Sequence, residues 1–574
     1  MLRLGPQDSS GSLFRALGLP GPFVFGHTGI FVFGHTGIIA DRRSSCREYD
    51  IGGPLRPLLR HQGSADVVRK GGPCPYYGRM PSAADFVIRN ALIADGTGRP
   101  LADGDVSIGE GVILTTGAGP APAGPATVNL DARGELVCSP GFIDVHTHDD
   151  AALIRHPDLE FKIAQGCTSL VIGNCGFSGF PATGVDDIES VTGGDWPDLD
   201  GYRGAVAKTG FAANAMALIG HNTIRTLTIG REEPRPATAA EIGVMREHVL
   251  RAMKQGACGL STGLIYTPGK WAPTEEVIEL SRAAADHGGL YVTHMRNEGD
   301  RLLDSVAETI RIGTESGCPV HISHHKASGE QNWGKVADSL SAIDQANAAG
   351  SDITLDFYPY TASSGPMAEY TSPETVTREW AEQNQFATCP PFPRYQGRTI
   401  SDVAAAEALT LPDLIRKVLS APGGRRTISI GFGMSEDDLV TNVRHRLMMI
   451  GSDGIPDLDG LPHPRLYGTF PRVFAEYVRK RAEISVSEAV RRMTSLPADR
   501  FGLAGRGRLA PGRWADVTVF DPATFRDTAT FMAPKQQPEG LHWVFVNGTL
   551  TFEQGRHTGA RAGQLLSFRA AATS

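Results

Sequence analysis

Gly141-Phe142-Ile143-Asp144-Val145-His146-Thr147-His148 is a short apolar run that ends abruptly in two histidines one residue apart. Its composition predicts a strand, and a strand alternates its side chains with period two. His146 and His148 therefore point the same way at the carboxyl end, as a metal chelate requires. The motif on its own could be coincidence, so its weight rests on what lies downstream.

Working outward, candidate ligands follow four further apolar runs. They are Cys175 after Thr168–Asn174, His294 after Leu290–Thr293, His324 after His321–Ser323, and Asp453 after Met448–Ser452. Brief strands are expected at Gly141–Val145, Ser169–Gly173, Gly289–Thr293, Val320–Ser323, Ile353–Phe357 and Thr427–Ile430. Helical periodicity lies between several of them, over Thr238–Gln255 and Thr274–Asp286. Thr238 with Glu241 reads as a capping box, and Pro273 before Thr274 as a helix start. Alternating strands and helices of this size favour a parallel barrel, whose strand ends converge on one mouth.

The barrel is expected over 141–490, interrupted at about 361–425 by a Pro-, Thr- and Glu-rich insertion. Short strands at Asp85–Ile93 and Asp103–Ile108 on one side, and Ala515–Phe520 and Trp543–Gly548 on the other, bracket it. These predict one small discontinuous β-sandwich built from 83–140 and 491–574. Residues 1–82 are rich in Gly, Pro and Arg and read as an atypical extension. Within it Phe23–Ile30 is duplicated as Phe31–Ile38, too short for a solenoid, and His27 and His35 read as incidental.

The 574 residues carry a formal net charge of −8, without the concentrated basic face of a nucleic-acid binder. No apolar run reaches the roughly 18 residues of a membrane span, and no clear signal sequence opens the chain. The 8 cysteines are scattered rather than arranged as a disulfide framework, which fits a reducing, cytoplasmic setting. The expected partner is a small molecule, handled by a monomer or a small homo-oligomer.

The motifs also carry a resemblance. Pro140–His148 resembles the metal motif of the amidohydrolase superfamily. Gly173-Asn174-Cys175-Gly176, Ser261–Gly269, His294–Glu298 and His324-His325-Lys326 with Asn332–Lys335 resemble its D-aminoacylase branch. So do Gly451–Gly454, His463-Pro464-Arg465 and Gly468-Thr469-Phe470, and the likeness extends to Thr558–Arg561. It implies an α/β fold, a TIM-like (β/α)8 metal-dependent hydrolase barrel. It further implies a tightly held Zn2+ on Cys175, His294 and His324, with His146, His148 and Asp453 lining a second, weaker position. By the same resemblance Asp453 is the general base, while Lys326, Tyr266, Arg465, Tyr360 and Ser364 handle substrate. The residues alone leave His324 and His325 as rival ligands. Adjacent strand residues face opposite ways, so only one can reach the mouth, and the family pattern selects His324.

The implied chemistry is hydrolysis of the amide of an N-acyl-D-amino acid. Zinc activates water and polarises the carbonyl, the Asp453 carboxylate takes the proton, and a cationic clamp holds the substrate carboxylate. The planar fork of Arg465 suits that clamp, with Lys326 as the alternative. A cyclic-amide hydrolase of the dihydroorotase or hydantoinase type, or a dipeptidase, is the competing reading on the same scaffold. A non-catalytic barrel would be expected to lack one of the polar strand-end residues, and none is missing.

Overall fold

The computed structural model describes residues 83–183 and 194–568. The extension 1–82, with its duplicated octapeptide, lies outside the described residues. Eight parallel strands follow one another around a barrel. They are β1 (Phe142–Asp144), β2 (Cys167–Ile172), β3 (Asn214–Ala217, resuming at Ile219–Gly220) and β4 (Gly259–Gly263). The round continues with β5 (Leu290–His294), β6 (Val320–Ile322), β7 (Ile353–Phe357) and β8 (Met448–Ile450). Each pairs with the next, and a parallel bridge between Thr147 and Gly454 closes β8 onto β1.

The crossovers are amphipathic helices, among them α1 (Ala239–Lys254), α2 (Thr274–Ala285), α3 (Leu302–Ser316) and α4 (Lys335–Ala348). Thr238 caps α1 through the expected box: its hydroxyl accepts from Glu241 N, and the Glu241 carboxylate accepts from Thr238 N at 2.7 Å. The inner faces of these helices, such as Val277, Leu280 and Ala284 of α2, are buried against the barrel.

A separate mixed sheet joins the described segments on either side of the barrel. Val137–Pro140 pairs antiparallel with Val517–Phe520, so strands from 84–140 and from 517–557 form one nine-stranded sheet. It encloses its own core of Ile88, Val106, Ile113, Val517, Val519 and Phe545.

One expected barrel strand belongs elsewhere. The run at Thr427–Ile430 lies in the antiparallel strand Ile428–Phe432, central between Ala362–Pro366 and Asn384–Thr388. The insertion therefore extends past Arg425, and it carries its own core of Phe386, Tyr395, Ile400, Leu414 and Val418. A short apolar run has too little periodicity to reveal which sheet it joins. Conversely, β3 and β4 escape notice in the sequence because Asn-Ala-Met-Ala and Gly-Leu-Ser-Thr-Gly lack the β-branched density of a typical strand.

Candidate metal centre

The carboxyl ends of the strands bring the marked residues together. Cys175 Sγ lies 3.3 Å from His146 Nε2, 3.5 Å from His324 Nε2 and 3.7 Å from His294 Nδ1. Asp453 Oδ1 lies 3.0 Å from His148 Nε2 and 3.4 Å from His146 Nε2. Ligand atoms of His146, Cys175, His324 and Asp453 all fall within 4.8 Å of one another. Zinc bonds of about 2.0 Å to nitrogen and 2.3 Å to sulfur place neighbouring tetrahedral ligands about 3.5 Å apart, so the thiol–imidazole spacings fit that ion. One soft sulfur among imidazoles and a carboxylate also disfavours magnesium and calcium.

Electrostatics separate this thiol from the other cysteines among the described residues. Burial alone would push Cys175 up, but the His146 charge and hydrogen bond, with hydrogen bonds from His148 and His294, draw it well below the ordinary thiol range. Burial instead raises Cys138, Cys167, Cys258, Cys318 and Cys389. Asp453 follows the same logic. Burial opposes its ionisation, yet Arg465, His324 and His146 outweigh it and hold the carboxyl well below its usual range.

The backbone is shaped for the cluster. Gly176, next to Cys175, has φ +83°, and a Cβ there would stand 2.2 Å from Asn222 Oδ1. Only glycine lets the Cys175 turn pass that close. His325 points away and is satisfied by Asn442 at 2.8 Å and Ser339 at 2.6 Å, while burial lowers its pKa to about 4. His321 sits one layer below, with Nε2 at 2.9 Å from Asp356 Oδ2, a carboxylate also 3.4 Å from His146 Nδ1.

The residues expected to handle substrate divide. Tyr266 and Ser364 line the cavities around the centre, and Lys326 lines one of them with Nζ 2.7 Å from a Glu298 oxygen. Arg465 is buried, with Nη1 2.9 Å from Asp453 Oδ2 and Nη2 donating to Ser364 O at 3.1 Å. Tyr360 is a correction. Its hydroxyl turns to Asp527 at 3.4 Å and its ring lies under Arg472, away from both cavities. Tyr358 takes the place by the site instead, its ring 4.5 Å from the Arg465 guanidinium. β7 ends at Phe357, so period-two reasoning no longer applies to Tyr358 and Tyr360. Sequence reasoning also passed over Glu298, which stands behind His294 and His324 at 3.3 and 2.9 Å. Its only signal was its place in the His294–Glu298 motif.

A parallel barrel with a thiol–imidazole–carboxylate cluster at its carboxyl mouth defines a metal-dependent hydrolase scaffold. The amidohydrolase family model matches residues 129–390 and 439–552. A D-aminoacylase of Alcaligenes xylosoxydans xylosoxydans is 39% identical over 493 residues, covering 85% of this chain and 98% of that protein. An N-acyl-D-glutamate deacylase of the same organism is 40% identical over 481 residues, covering 83% and 95%. The crystal structure of the N-acyl-D-glutamate deacylase from Bordetella bronchiseptica, complexed with zinc and a phosphonate mimic of the tetrahedral intermediate, superposes with a TM-score of 0.77. It shares 37% identity and covers 84% of this chain and all of that one. The chain belongs to the amidohydrolase family, within its D-aminoacylase (N-acyl-D-amino-acid deacylase) branch.

Proposed function

We propose that this chain hydrolyses the amide bond of N-acyl-D-amino acids in a zinc-dependent reaction, with Asp453 as general base. The observation that carries this reading is the Cys175 thiol, drawn below its ordinary range and set 3.3–3.7 Å from three imidazoles beside the Asp453 carboxylate. Cys175, His294 and His324 would hold the tight zinc, and His146, His148 and Asp453 a weaker second one. Bound there, zinc acts as a Lewis acid that makes water nucleophilic near neutral pH and polarises a carbonyl.

The remaining steps belong to the chain's own side chains. Asp453, kept ionised by its cationic neighbours, accepts a proton from the attacking water and returns it to the leaving nitrogen. Tyr266, on the wall of both cavities, donates to the developing oxyanion. Lys326 and Arg465 supply the positive charge that a substrate carboxylate needs. Arg465 meets it from the position in which it now holds Asp453 at 2.9 Å. Among the described residues, six cysteines are free and buried, which supports a reducing, cytoplasmic setting. No helix among the described residues is long and apolar enough to cross a membrane.

The test is Asp453→Asn. Hydrolysis of an N-acetyl-D-amino acid should fall roughly a hundredfold or more, in line with loss of a general base, while the tight zinc remains by elemental analysis. Full turnover in that variant removes Asp453 from the role. Turnover of a hydantoin in preference to the linear amide would move the chain to the cyclic-amide reading.

A further inference from the structure

Two consecutive residues of the insertion reach two consecutive residues of the loop that follows β4. The insertion supplies Glu369 and Tyr370, from the short helix Met367–Tyr370, and the loop supplies Tyr266 and Thr267. The Glu369 side chain is buried. One of its oxygens accepts from Thr267 N at 3.1 Å and from the Thr267 hydroxyl at 3.0 Å, and the other accepts from Arg231 Nη2 at 3.1 Å. The Tyr370 and Tyr266 hydroxyl oxygens lie 2.9 Å apart, with the two rings at 87°. Gly365 makes room for this approach: a Cβ there would stand 2.9 Å from Tyr370 Cε2 and 3.0 Å from its hydroxyl oxygen. The Tyr266 ring in turn packs against His294 of the metal centre, their centroids 4.7 Å apart.

A tyrosine hydroxyl has one proton to give and two lone pairs to accept with. Of the two protons in this pair, one occupies the bond between the oxygens and the other is left for a third group. If Tyr266 donates to Tyr370, its proton is spent and it offers nothing to an oxyanion. If Tyr370 donates, Tyr266 keeps its proton free, and a hydroxyl that accepts one hydrogen bond donates the next more strongly. Negative charge developing beside Tyr266 selects the second arrangement, because only there does a proton face it. The Glu369 bonds fix the backbone one residue along on each side, so the two oxygens stay within reach as that charge appears.

We infer that Tyr370 is a positioning residue whose hydroxyl donates to Tyr266 and so aims the Tyr266 proton at the oxyanion formed during amide hydrolysis. The insertion thereby completes a site that the barrel begins. The inference rests on the deacylase reading and on Tyr266 as the oxyanion donor.

Tyr370 is 39% exposed, so Tyr370→Phe removes a hydroxyl from a ring open to solvent and leaves the packing around it in place. The experiment is a double-mutant cycle on the zinc-loaded full chain, with Tyr370→Phe, Tyr266→Phe and the two combined. Each protein is read as kcat and KM on one N-acetyl-D-amino acid and as zinc content by elemental analysis. Tyr266→Phe removes an oxyanion donor and should lower kcat roughly a hundredfold. Tyr370→Phe should lower kcat about tenfold, the size of one well-placed hydrogen bond. Its KM should stay within about twofold, since an interaction strengthened only in the transition state leaves substrate binding alone. With Tyr266→Phe already present, adding Tyr370→Phe should change kcat by less than about twofold. A Tyr370→Phe kcat within about threefold of the parent, a loss carried by KM or by departure of zinc, or losses that multiply in the combined variant each overturn the inference. Full kcat in Tyr266→Phe removes Tyr266 from the oxyanion role and the inference with it. Failure of the parent chain to hydrolyse any N-acyl-D-amino acid would instead overturn the deacylase reading beneath both.

Discussion

Cys175, His324 and Asp453 share an unusual backbone: their φ angles are +53°, +35° and +49°. Left-handed conformations cost L-residues roughly 1–2 kcal/mol each, and such outliers gather where geometry serves a site. Here each lies just past a strand end, and the reversed φ turns its side chain into the mouth instead of along the next loop. Behind them, Glu298 stands next to His294 Nε2 and His324 Nδ1, the ring nitrogens turned away from Cys175. A carboxylate in that position fixes which ring nitrogen stays free to ligate. Glu298→Gln should therefore weaken zinc retention by roughly tenfold to a hundredfold, read by chelator competition with the fold intact by circular dichroism. Unchanged affinity would make Glu298 merely the partner of Lys326. The strand-end positions His146, Cys175, His294 and Asp453 were legible because each follows an apolar run, whereas only the family resemblance separated His324 from its neighbour His325. Glu298 and Tyr358 were not, because they lie beyond the strands, where no period assigns a direction. Asp356 left a trace that could have been read, as an acid inside the apolar strand Ile353–Phe357.

Among the elements, the β1–β8 seam is the one that side chains must sew. The backbone supplies one bridge, Thr147 to Gly454, with Asp453 N donating to His146 O at 2.8 Å. The rest is a buried ionic knot. Lys162 Nζ, from the short helix Glu160–Ile163, donates to Asp144 Oδ2 and to Ser452 Oγ, both at 2.7 Å. Asp144 Oδ1 in turn accepts from Ser452 N at 2.8 Å, and Asp149 lies 3.4 Å from the same lysine. Lys162, Asp144 and Asp149 are fully buried, so the lysine is the countercharge available to two carboxylates away from water. Removing one partner of a buried ionic set costs about 3–5 kcal/mol. Lys162→Met should lose stability of that order in urea denaturation, and a loss below about 1 kcal/mol would show the knot to be dispensable. At this scale the capping signals read truly: α1 and α2 begin at the predicted residues because caps are local chemistry. Sheet membership is not local, which is why Thr427–Ile430 was assigned to the wrong sheet.

Across the described molecule, the segment that follows the barrel returns to brace its first strands. Gly141 N, one residue before β1, donates to Asp516 O at 2.8 Å, and Ala215 of β3 bonds Gln564 and Leu566. The same reach from distant parts of the chain operates through Glu276. Buried in α2, it accepts from Ala237 N at 3.3 Å ahead of α1, and holds His221 at 3.0 Å and Arg225 from the helix His221–Thr228. Burial raises this carboxyl, but the His221 hydrogen bond and charge, with Arg225, outweigh it and lower its pKa to about 2. An unfolded glutamate titrates near 4.3. A carboxyl with a depressed folded pKa contributes its stability in full above the unfolded value. It loses that contribution as pH falls through the folded one. Glu276→Gln copies the protonated state without the charge. The wild-type advantage over this variant in urea midpoint should be constant from pH 7 to about pH 5 and shrink steadily as pH falls from about 4.3 toward 2. Because both proteins carry the same metal ligands, their difference isolates Glu276 from acid release of zinc. An advantage independent of pH would mean that Glu276 acts through packing and not through its charge.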